Sequence, residues 1–379
     1  MGKLGHALHL SILSKSFEIS SDSPEATQVL HFQYRYFVTP HAAEKIDHQI
    51  AFRLSGPRPT LSVDGHRMSM PPSPHRLAHA LGLAFESLLD SIEGYMFIHA
   101  GVVARGDRSV VICGPPGFGK TSLVLRLVDH GCQFLSDDLA PLSLSTGWIH
   151  PFPRSLGIVA RPGRRASLAE RVSRRARLRF GGKWLIDPGG VPGLCLGGRS
   201  RPGLVLLLGP GESISGKALP RFEIAIHPSL SPSFSECFKH SGTRPQKVRK
   251  GSGIAVYRVT PGAAGAVTSR LQGWVRDHRP GVLWLTRMTR PAGAFRSPLR
   301  ITPVTPKEGI VEILEDLLNR RPGSRGLGTL GDSPGRLLLK AADLLQSAPF
   351  YRLQGGSVKA RCDSVGRLLT AIGQPGITA

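Results

Sequence analysis

The chain has 379 residues, enough for two domains, and its 49 Lys and Arg outnumber its 26 Asp and Glu to give a formal charge of +23. A solvated basic surface accounts for most of such a charge, and attraction to anions is the functional alternative. The five cysteines are scattered without a C-x-x-C pair, which argues against a disulfide framework or a zinc site. The sequence has neither a secretory signal nor an apolar run of membrane-spanning length, so we expect a cytoplasmic protein without membrane insertion.

The first 72 residues are predicted to form a small β-rich accessory unit. Residues 30–38 are rich in aromatics and alternate, residues 49–54 form a second run, and residues 60–63 precede an Asp-Gly turn. Residues 73–94 then predict a connecting helix. Its apolar residues recur three and four apart, Ser73 and Pro74 suit its first turn, and Gly94 suits its end.

The order of elements changes after residue 95 to strand, loop, helix, strand. Strands are predicted at residues 95–98, 102–104 and 109–113, followed by a glycine-rich loop, a helix at 122–128 and a short strand at 133–135. This is the βαβ order of a parallel sheet in an α/β fold.

The later part of the chain gives weaker patterns. Strands are expected at 204–208, 282–285 and 350–353 and a helix at 337–345, with Pro-, Gly- and Ser-rich loops around 210–250. The segment from Arg154 to Lys183 contains ten basic residues and a single acidic one, Glu170. We therefore expect one domain at 95–355 with an Arg-rich insertion at 154–202, and a C-terminal tail at 356–379.

One segment matches the phosphate-binding pattern G-x-x-x-x-G-K-[ST] in full, between an apolar strand and an apolar helix. Backbone N–H groups of such a loop bind phosphate oxygens together with the helix N-terminus. Lys120 is expected to neutralise the β- and γ-phosphates of ATP, and the Thr121 hydroxyl to bind Mg²⁺. The predicted nucleotide-binding residues are Gly114, Pro115, Pro116, Gly117, Phe118, Gly119, Lys120, Thr121 and Ser122.

Two further features carry chemistry. Asp137 and Asp138 follow a strand 16 to 17 residues after Thr121 and reach the same edge of the predicted sheet. Phosphoryl transfer needs a carboxylate for the metal and often a second to accept the proton of the attacking hydroxyl. His99 follows another apolar strand 15 residues before the loop.

Taken together, the series 97–101, 114–121 and 131–138 resembles the catalytic domain of HPr kinase/phosphorylase and its relatives. The resemblance implies a P-loop kinase core of the HPr kinase/phosphoenolpyruvate carboxykinase type. It implies Asp137 as the base toward a serine hydroxyl, Asp138 as a Mg²⁺ ligand and His99 near the transferred phosphate. It also implies a homo-oligomer. ATP and Mg²⁺ are the expected cofactors.

The resemblance has a limit downstream of the aspartates. The Glu-x-Arg-Gly-x-Gly signature of the bifunctional enzymes is missing, and the Arg-rich segment stands in that region. Neither a phosphorylase activity nor HPr itself as the acceptor is therefore implied. The chain looks closer to the HPr-kinase-related group found beside peptide-biosynthesis genes, whose members include kinases of lasso precursor peptides.

These features lead to a kinase acting on a serine of a protein or ribosomal peptide, with an acidic acceptor suggested by the basic charge. A kinase of a small molecule such as a free amino acid is one alternative. A nucleotide-binding regulatory or assembly protein with little turnover is another. Nucleic acid is not an expected partner, because only the charge supports it.

Overall fold

A computed structural model describes most of the chain: residues 7–41, 43–55, 59–69, 76–115, 117–159, 177–180, 183–209, 221–226, 228–238, 245–251, 254–259, 274, 282–288, 298–320 and 334–372. Several sequence-based predictions lie outside these residues. They concern Ser73 and Pro74 as helix start, Pro116 of the glycine-rich loop, and the arginines between 160 and 176.

The N-terminal part forms a five-stranded sheet with the order β1-β2-β3-β4-β5. Its strands pair antiparallel except for β2 and β3, which run parallel. Two helices, α1 and α2, share a continuous buried core with this sheet. The elements are β1 Leu8–Ile12, β2 Lys15–Ser21, α1 Pro24–Tyr34, β3 His48–Arg53, β4 Thr60–Val63, β5 His66–Ser69 and α2 Arg76–Asp90.

The strand predicted at 30–38 is wrong, because this stretch contains the end of α1 and a 3₁₀ turn, Arg35–Phe37. The helix begins at Ser23, whose side chain accepts a hydrogen bond from the N–H of Ala26, with Pro24 in the first turn. Buried positions then recur at helical spacing and cover the sheet. Aromatic residues favoured the strand prediction, but the Ser-Pro start decides the local structure.

A six-stranded sheet forms the centre of the molecule, with the order β19-β20-β14-β8-β7-β9. Strands β8, β14 and β20 run parallel, while β7 pairs antiparallel with both β8 and β9. Strands β8 and β9 therefore share the direction that their βαβ order predicted, but β7 lies between them. The strands are β7 Ala100–Arg105, β8 Arg108–Cys113, β9 Gln133–Ser136, β14 Arg201–Gly209, β19 Arg300–Val304 and β20 Phe350–Gln354.

Helices cover both faces of this sheet. Successive residues of β8 alternate between two buried clusters, because strand side chains point to opposite faces. One cluster contains side chains of α3 (Lys120–Asp129) and α7 (Val358–Ala371), and the other contains side chains of α5 (Pro306–Arg320) and α6 (Pro334–Leu345). The result is a three-layered α/β arrangement.

Three smaller sheets complete the described part of the chain. Strands β6 and β10 form a pair, β11-β13-β12 form a second sheet, and β16-β17-β15-β18 form a third. The loops expected around 210–250 are therefore a partly wrong prediction, since β15, α4 and β16 fall there. These elements are β6 Tyr95–Ile98, β10 Ala140–Ser143, β11 Leu156–Val159, β12 Arg177–Phe180, β13 Lys183–Ile186, β15 Arg221–Ile226, α4 Ser231–Cys237, β16 Gln246–Gly251, β17 Ile254–Val259 and β18 Val282–Met288.

Across the part of the chain that the structure describes, no helix has the length and apolarity needed to cross a membrane.

Candidate active site

The P-loop, residues 114–121, connects the end of β8 to the start of α3. Its glycines are needed for conformation and space: Gly117 and Gly119 have φ of 85° and 90°. A Cβ on Gly114 would lie 2.7 Å from the carbonyl oxygen of Leu208 in the adjacent β14. The loop therefore packs against the end of the neighbouring parallel strand, at the edge where ligands of α/β proteins bind.

Lys120 is the first residue of α3, and its side chain lies inside the P-loop with a relative exposure of 8%. Its Nζ donates a hydrogen bond of 2.6 Å to the carbonyl oxygen of Gly114. The same charge lowers the pKa of both Asp137 and Asp138. The ammonium group is thus placed between the loop and the carboxylate pair.

The P-loop has a support that the sequence reading missed. Arg361 of α7 is 1% exposed, and its Nη1 donates to the carbonyl oxygen of Phe118 at 2.8 Å. Its Nε donates to the carbonyl oxygen of Gly355 at the same distance. Burial lowers the pKa of Arg361 to about 10. The only sequence signal was an arginine on the apolar side of a C-terminal helix, which by itself names no contact.

A turn after β9 presents the two aspartates. The buried Ser136 hydroxyl accepts hydrogen bonds from the backbone N–H groups of Asp138, at 3.4 Å, and Leu139, at 3.1 Å. These bonds fix the turn locally, as short hydroxyl side chains commonly do. The Ser-Asp-Asp sequence therefore carries its own turn as well as its carboxylates.

Asp138 pairs with His99, which lies between β6 and β7. Nδ1 of His99 is 3.1 Å from Oδ1 of Asp138, and 57% of the Asp138 side chain is exposed. Desolvation raises the pKa of Asp138, but the hydrogen bond and charge of His99, with the charges of Arg154 and Lys120, outweigh it and hold that pKa below its usual range. Because the side chain is exposed, water screens these charges, yet the carboxylate stays ionised at neutral pH.

Asp137 has a different environment. Desolvation by burial raises its pKa to about 6, against hydrogen bonds from the Thr121 side chain and the Gly157 backbone that lower it. The charge of Asp138 raises this pKa further, and that of Lys120 lowers it. Oδ1 of Asp137 is buried without a hydrogen-bond partner among the described residues. Such an oxygen is costly unless another group binds it.

The residues present fit a nucleotide with Mg²⁺. The P-loop offers backbone N–H groups at a helix N-terminus, and Lys120 offers a cation. Within the described part of the chain, no three His, Cys, Asp or Glu residues cluster to hold a metal by themselves. Magnesium in phosphotransfer sites commonly takes only one or two protein carboxylates and completes its shell with substrate phosphates and water. The hydroxyl of Thr121 with a carboxylate of the Asp137–Asp138 pair is a partial ligand set of that kind.

Most residues singled out in the sequence meet at this edge of the sheet. The sequence grouped Thr121 with Asp138 as metal ligands. In the structure Thr121 contacts Asp137, and Asp138 contacts His99. Ser122 is exposed on α3. Of the Arg-rich segment, Arg154 lies close enough to Asp138 for its charge to act on that carboxylate.

The chain matches no family model and no curated protein. Among solved structures, the HPr(Ser) kinase/phosphatase from Coxiella burnetii aligns with 48% of this chain and 96% of its own length. The identity is 19% and the TM-score 0.20, a degree of similarity on which no argument about function rests.

Proposed function

We propose that this protein is an ATP- and Mg²⁺-dependent kinase that transfers the γ-phosphoryl group to a hydroxyl, with a serine of a protein or ribosomal peptide as acceptor. One observation carries the proposal. The P-loop with its buried Lys120 and the Asp137–Asp138 turn lie at the same edge of the central sheet, joined by the contact between Thr121 and Asp137. A passive nucleotide binder needs the loop but not the carboxylate pair.

We assign a role to each residue from its position and from the family resemblance. Backbone N–H groups of the P-loop and Lys120 hold the phosphates of ATP. Thr121 and Asp138 would hold Mg²⁺, which when bound neutralises charge on the phosphate oxygens. Asp137 accepts the proton of the acceptor hydroxyl, whose oxygen forms a bond to the γ-phosphorus as the bond to the β–γ bridging oxygen breaks. His99 orients the Asp138 carboxylate through its 3.1 Å contact.

The choice of serine as acceptor has a narrower basis. It follows from the resemblance of the His99, P-loop and Asp137-Asp138 series to HPr kinase/phosphorylase. We expect the acceptor to be acidic because the net charge of the chain is +23, and clustered charge raises the encounter rate with oppositely charged partners.

The test uses the full chain and radiolabelled ATP. Binding of Mg·ATP is measured by calorimetry, and transfer is measured to acidic serine peptides, to their alanine counterparts and to free amino acids. Label on serine peptides alone supports the proposal. Label on free amino acids favours a small-molecule kinase, Mg·ATP binding without transfer favours a regulatory protein, and absence of Mg·ATP binding removes all three.

A further inference from the structure

The segment between β10 and β11 is hydrogen-bonded to β9 and to the aspartate turn that follows it. The backbone N–H of Phe152 donates a 2.9 Å hydrogen bond to the carbonyl oxygen of Leu135. Leu135 lies on β9, two residues before Asp137. The backbone of Gly157 hydrogen-bonds the carboxylate of Asp137. Arg154 lies between these two anchors. Its backbone is therefore fixed beside the aspartate turn at both sides.

The side chain of Arg154 is held by aromatic rings from the N-terminal helices. Its Cζ lies 4.1 Å from the ring centroid of Phe85 in α2 and 5.2 Å from that of Tyr34 in α1. Nη2 is 3.5 Å from Oε1 of Gln33, at the limit of a hydrogen bond. Stacking on two rings from different helices orients the guanidinium plane without using its N–H donors.

The charge of the guanidinium acts on the carboxylate of Asp138, but not all of its N–H donors have a partner among the described residues. Tyr34 is within electrostatic reach of both Arg154 and Asp138. Among the described residues no carboxylate oxygen lies within ion-pair distance of Arg154, and its Nε is buried without a hydrogen-bond partner. A half-buried cation with such free donors is suited to an anion that arrives with the substrate.

We propose that Arg154 is a further catalytic residue, whose guanidinium on Phe85 and Tyr34 binds the phosphoryl group during its transfer. The inference rests on the proposed kinase function. In phosphoryl transfer the negative charge spreads over the three equatorial oxygens, and an arginine supplied to them contributes about 10³–10⁵-fold to the rate. Arg154 keeps its proton and forms no covalent bond. The N-terminal helices thereby become part of the active site.

The opposing interpretation is that Arg154 only ties the N-terminal helices to the core. In that case substitution of Arg154 would change the free energy of unfolding, but it would not change how tightly the protein binds a mimic of the transferring phosphoryl group. A transition-state mimic separates the two, because it tightens only those contacts that form during transfer. Aluminium fluoride with Mg·ADP supplies a phosphoryl mimic and needs no knowledge of the acceptor.

The experiment compares Mg·ADP affinity with and without aluminium fluoride in the wild type, Arg154→Ala, Arg154→Lys and a control. The control is Arg201→Ala, because Arg201 also stacks on a ring, 4.9 Å from that of Trp148. In the sheet, Arg201 is in register with Arg108, the first residue of β8. It therefore lies at the end of β8 that is opposite the P-loop. The measured quantity is the factor by which aluminium fluoride increases the affinity for Mg·ADP. In Arg154→Ala we expect this factor to fall at least about tenfold, while the affinity for Mg·ADP alone changes by less than about threefold. Arg201→Ala should behave as wild type.

Further outcomes are decisive as well. If Arg154→Ala does not fold, Arg154→Lys carries the test, since it keeps the charge and the aliphatic stem but loses the planar fork, and it should also lose most of the tightening. The inference is overturned if aluminium fluoride increases the Mg·ADP affinity of a folded Arg154 variant as much as that of the wild type. It is also overturned if the wild type binds Mg·ADP but aluminium fluoride does not increase its affinity. A wild type that binds no nucleotide overturns the kinase proposal itself, and the inference with it.

Discussion

Nη1 of Arg361, on the last described helix, donates a 2.8 Å hydrogen bond to the carbonyl oxygen of Phe118 in the middle of the P-loop. The guanidinium is buried, and its Nε holds the carbonyl oxygen of Gly355 at the other side. The C-terminal helix α7 is thus joined to the phosphate-binding loop through one side chain. The P-loop conformation depends on a residue more than 240 positions away in the chain.

The first prediction concerns this support. Arg361→Met removes both donors and leaves the two carbonyl oxygens without these bonds, which costs about 1–3 kcal/mol for each buried group. We expect a lower free energy of unfolding in urea and weaker Mg·ATP binding in calorimetry. Arg367→Met on the same helix is the control, because Arg367 is exposed and its Nη2 donates a hydrogen bond to the Ser364 hydroxyl, away from the P-loop carbonyl oxygens. Equal Mg·ATP affinity in a folded Arg361→Met variant would contradict the supporting role.

A second prediction concerns the nucleotide. Lys120→Ala removes the cation from the P-loop, and charge-assisted hydrogen bonds are worth about 1.5–3 kcal/mol. Mg·ATP affinity should fall by roughly 10- to 100-fold in calorimetry, because each 1.4 kcal/mol is tenfold. The fold should persist, and the exposed Lys359→Ala serves as the control for a lost positive charge. Unchanged Mg·ATP binding in a folded Lys120→Ala variant would refute the P-loop assignment.

The third prediction separates the two carboxylates. Asp137→Asn should keep Mg·ATP binding but lower phosphoryl transfer by about 10²–10⁴-fold, as expected for loss of a general base. Asp138→Asn should in addition raise the Mg²⁺ concentration needed for half-maximal activity. Both are measured by transfer of labelled phosphate over a range of Mg²⁺ concentrations. Full turnover in Asp137→Asn together with its loss in Asp138→Asn would mean that the roles are reversed.

The fourth prediction uses the Arg-rich segment. If it recruits an acidic acceptor, the attraction between the two sets of charges in water is screened over a Debye length of about 10 Å at 0.1 M salt. The acceptor KM should then rise with ionic strength while kcat stays nearly constant, because steering acts on encounter. Replacing Arg164, Arg165, Arg174 and Arg175 by Gln should flatten this dependence and leave the KM for ATP unchanged. Wild-type acceptor kinetics of that variant at every salt concentration would exclude the recruiting role.

A fifth prediction concerns how the N-terminal helices join the core. The buried Asp187 accepts hydrogen bonds from Nη1 of Arg35 and the hydroxyl of Tyr36, both at 2.5 Å. Asp187→Asn should lower the free energy of unfolding by about 1–3 kcal/mol, since it removes the buried charge and one of the two acceptor oxygens that Arg35 and Tyr36 bond. A double-mutant cycle with Arg35→Met, followed by urea denaturation, should give a coupling of about 0.5–3 kcal/mol. Additive effects of the two substitutions would show that the pair does not connect the two parts.

The sequence by itself determined the features that depend on neighbouring residues. The glycines, Lys120 and Thr121 between an apolar strand and an apolar helix predict the loop where the structure has it, at the end of β8 and the start of α3. The strands at 95–98 and 60–63 were also predicted with their bounds. These features follow from local periodicity and backbone preference, which act over a few residues.

Local patterns were insufficient where two signals competed or where partners are distant. Residues 30–38 have the composition of a strand, but the helix start at Ser23 and the apolar face against the sheet prevail. The insertion of β7 between β8 and β9 is a matter of strand order, which periodicity does not encode. The contact of Thr121 with Asp137 rather than Asp138 depends on how the turn after β9 is oriented.

Only the tertiary structure decided which arginines lie near the P-loop and the aspartate turn. In the sequence, Arg154 is one of ten basic residues between 154 and 183, and Arg361 is one of several in the C-terminal region. Packing against Phe85 and Tyr34 brings the charge of Arg154 within reach of Asp138, and burial of Arg361 brings its Nη1 to the carbonyl oxygen of Phe118. The physical reason is that a guanidinium acts through its position and its loss of water, and both are set by residues far away in the chain.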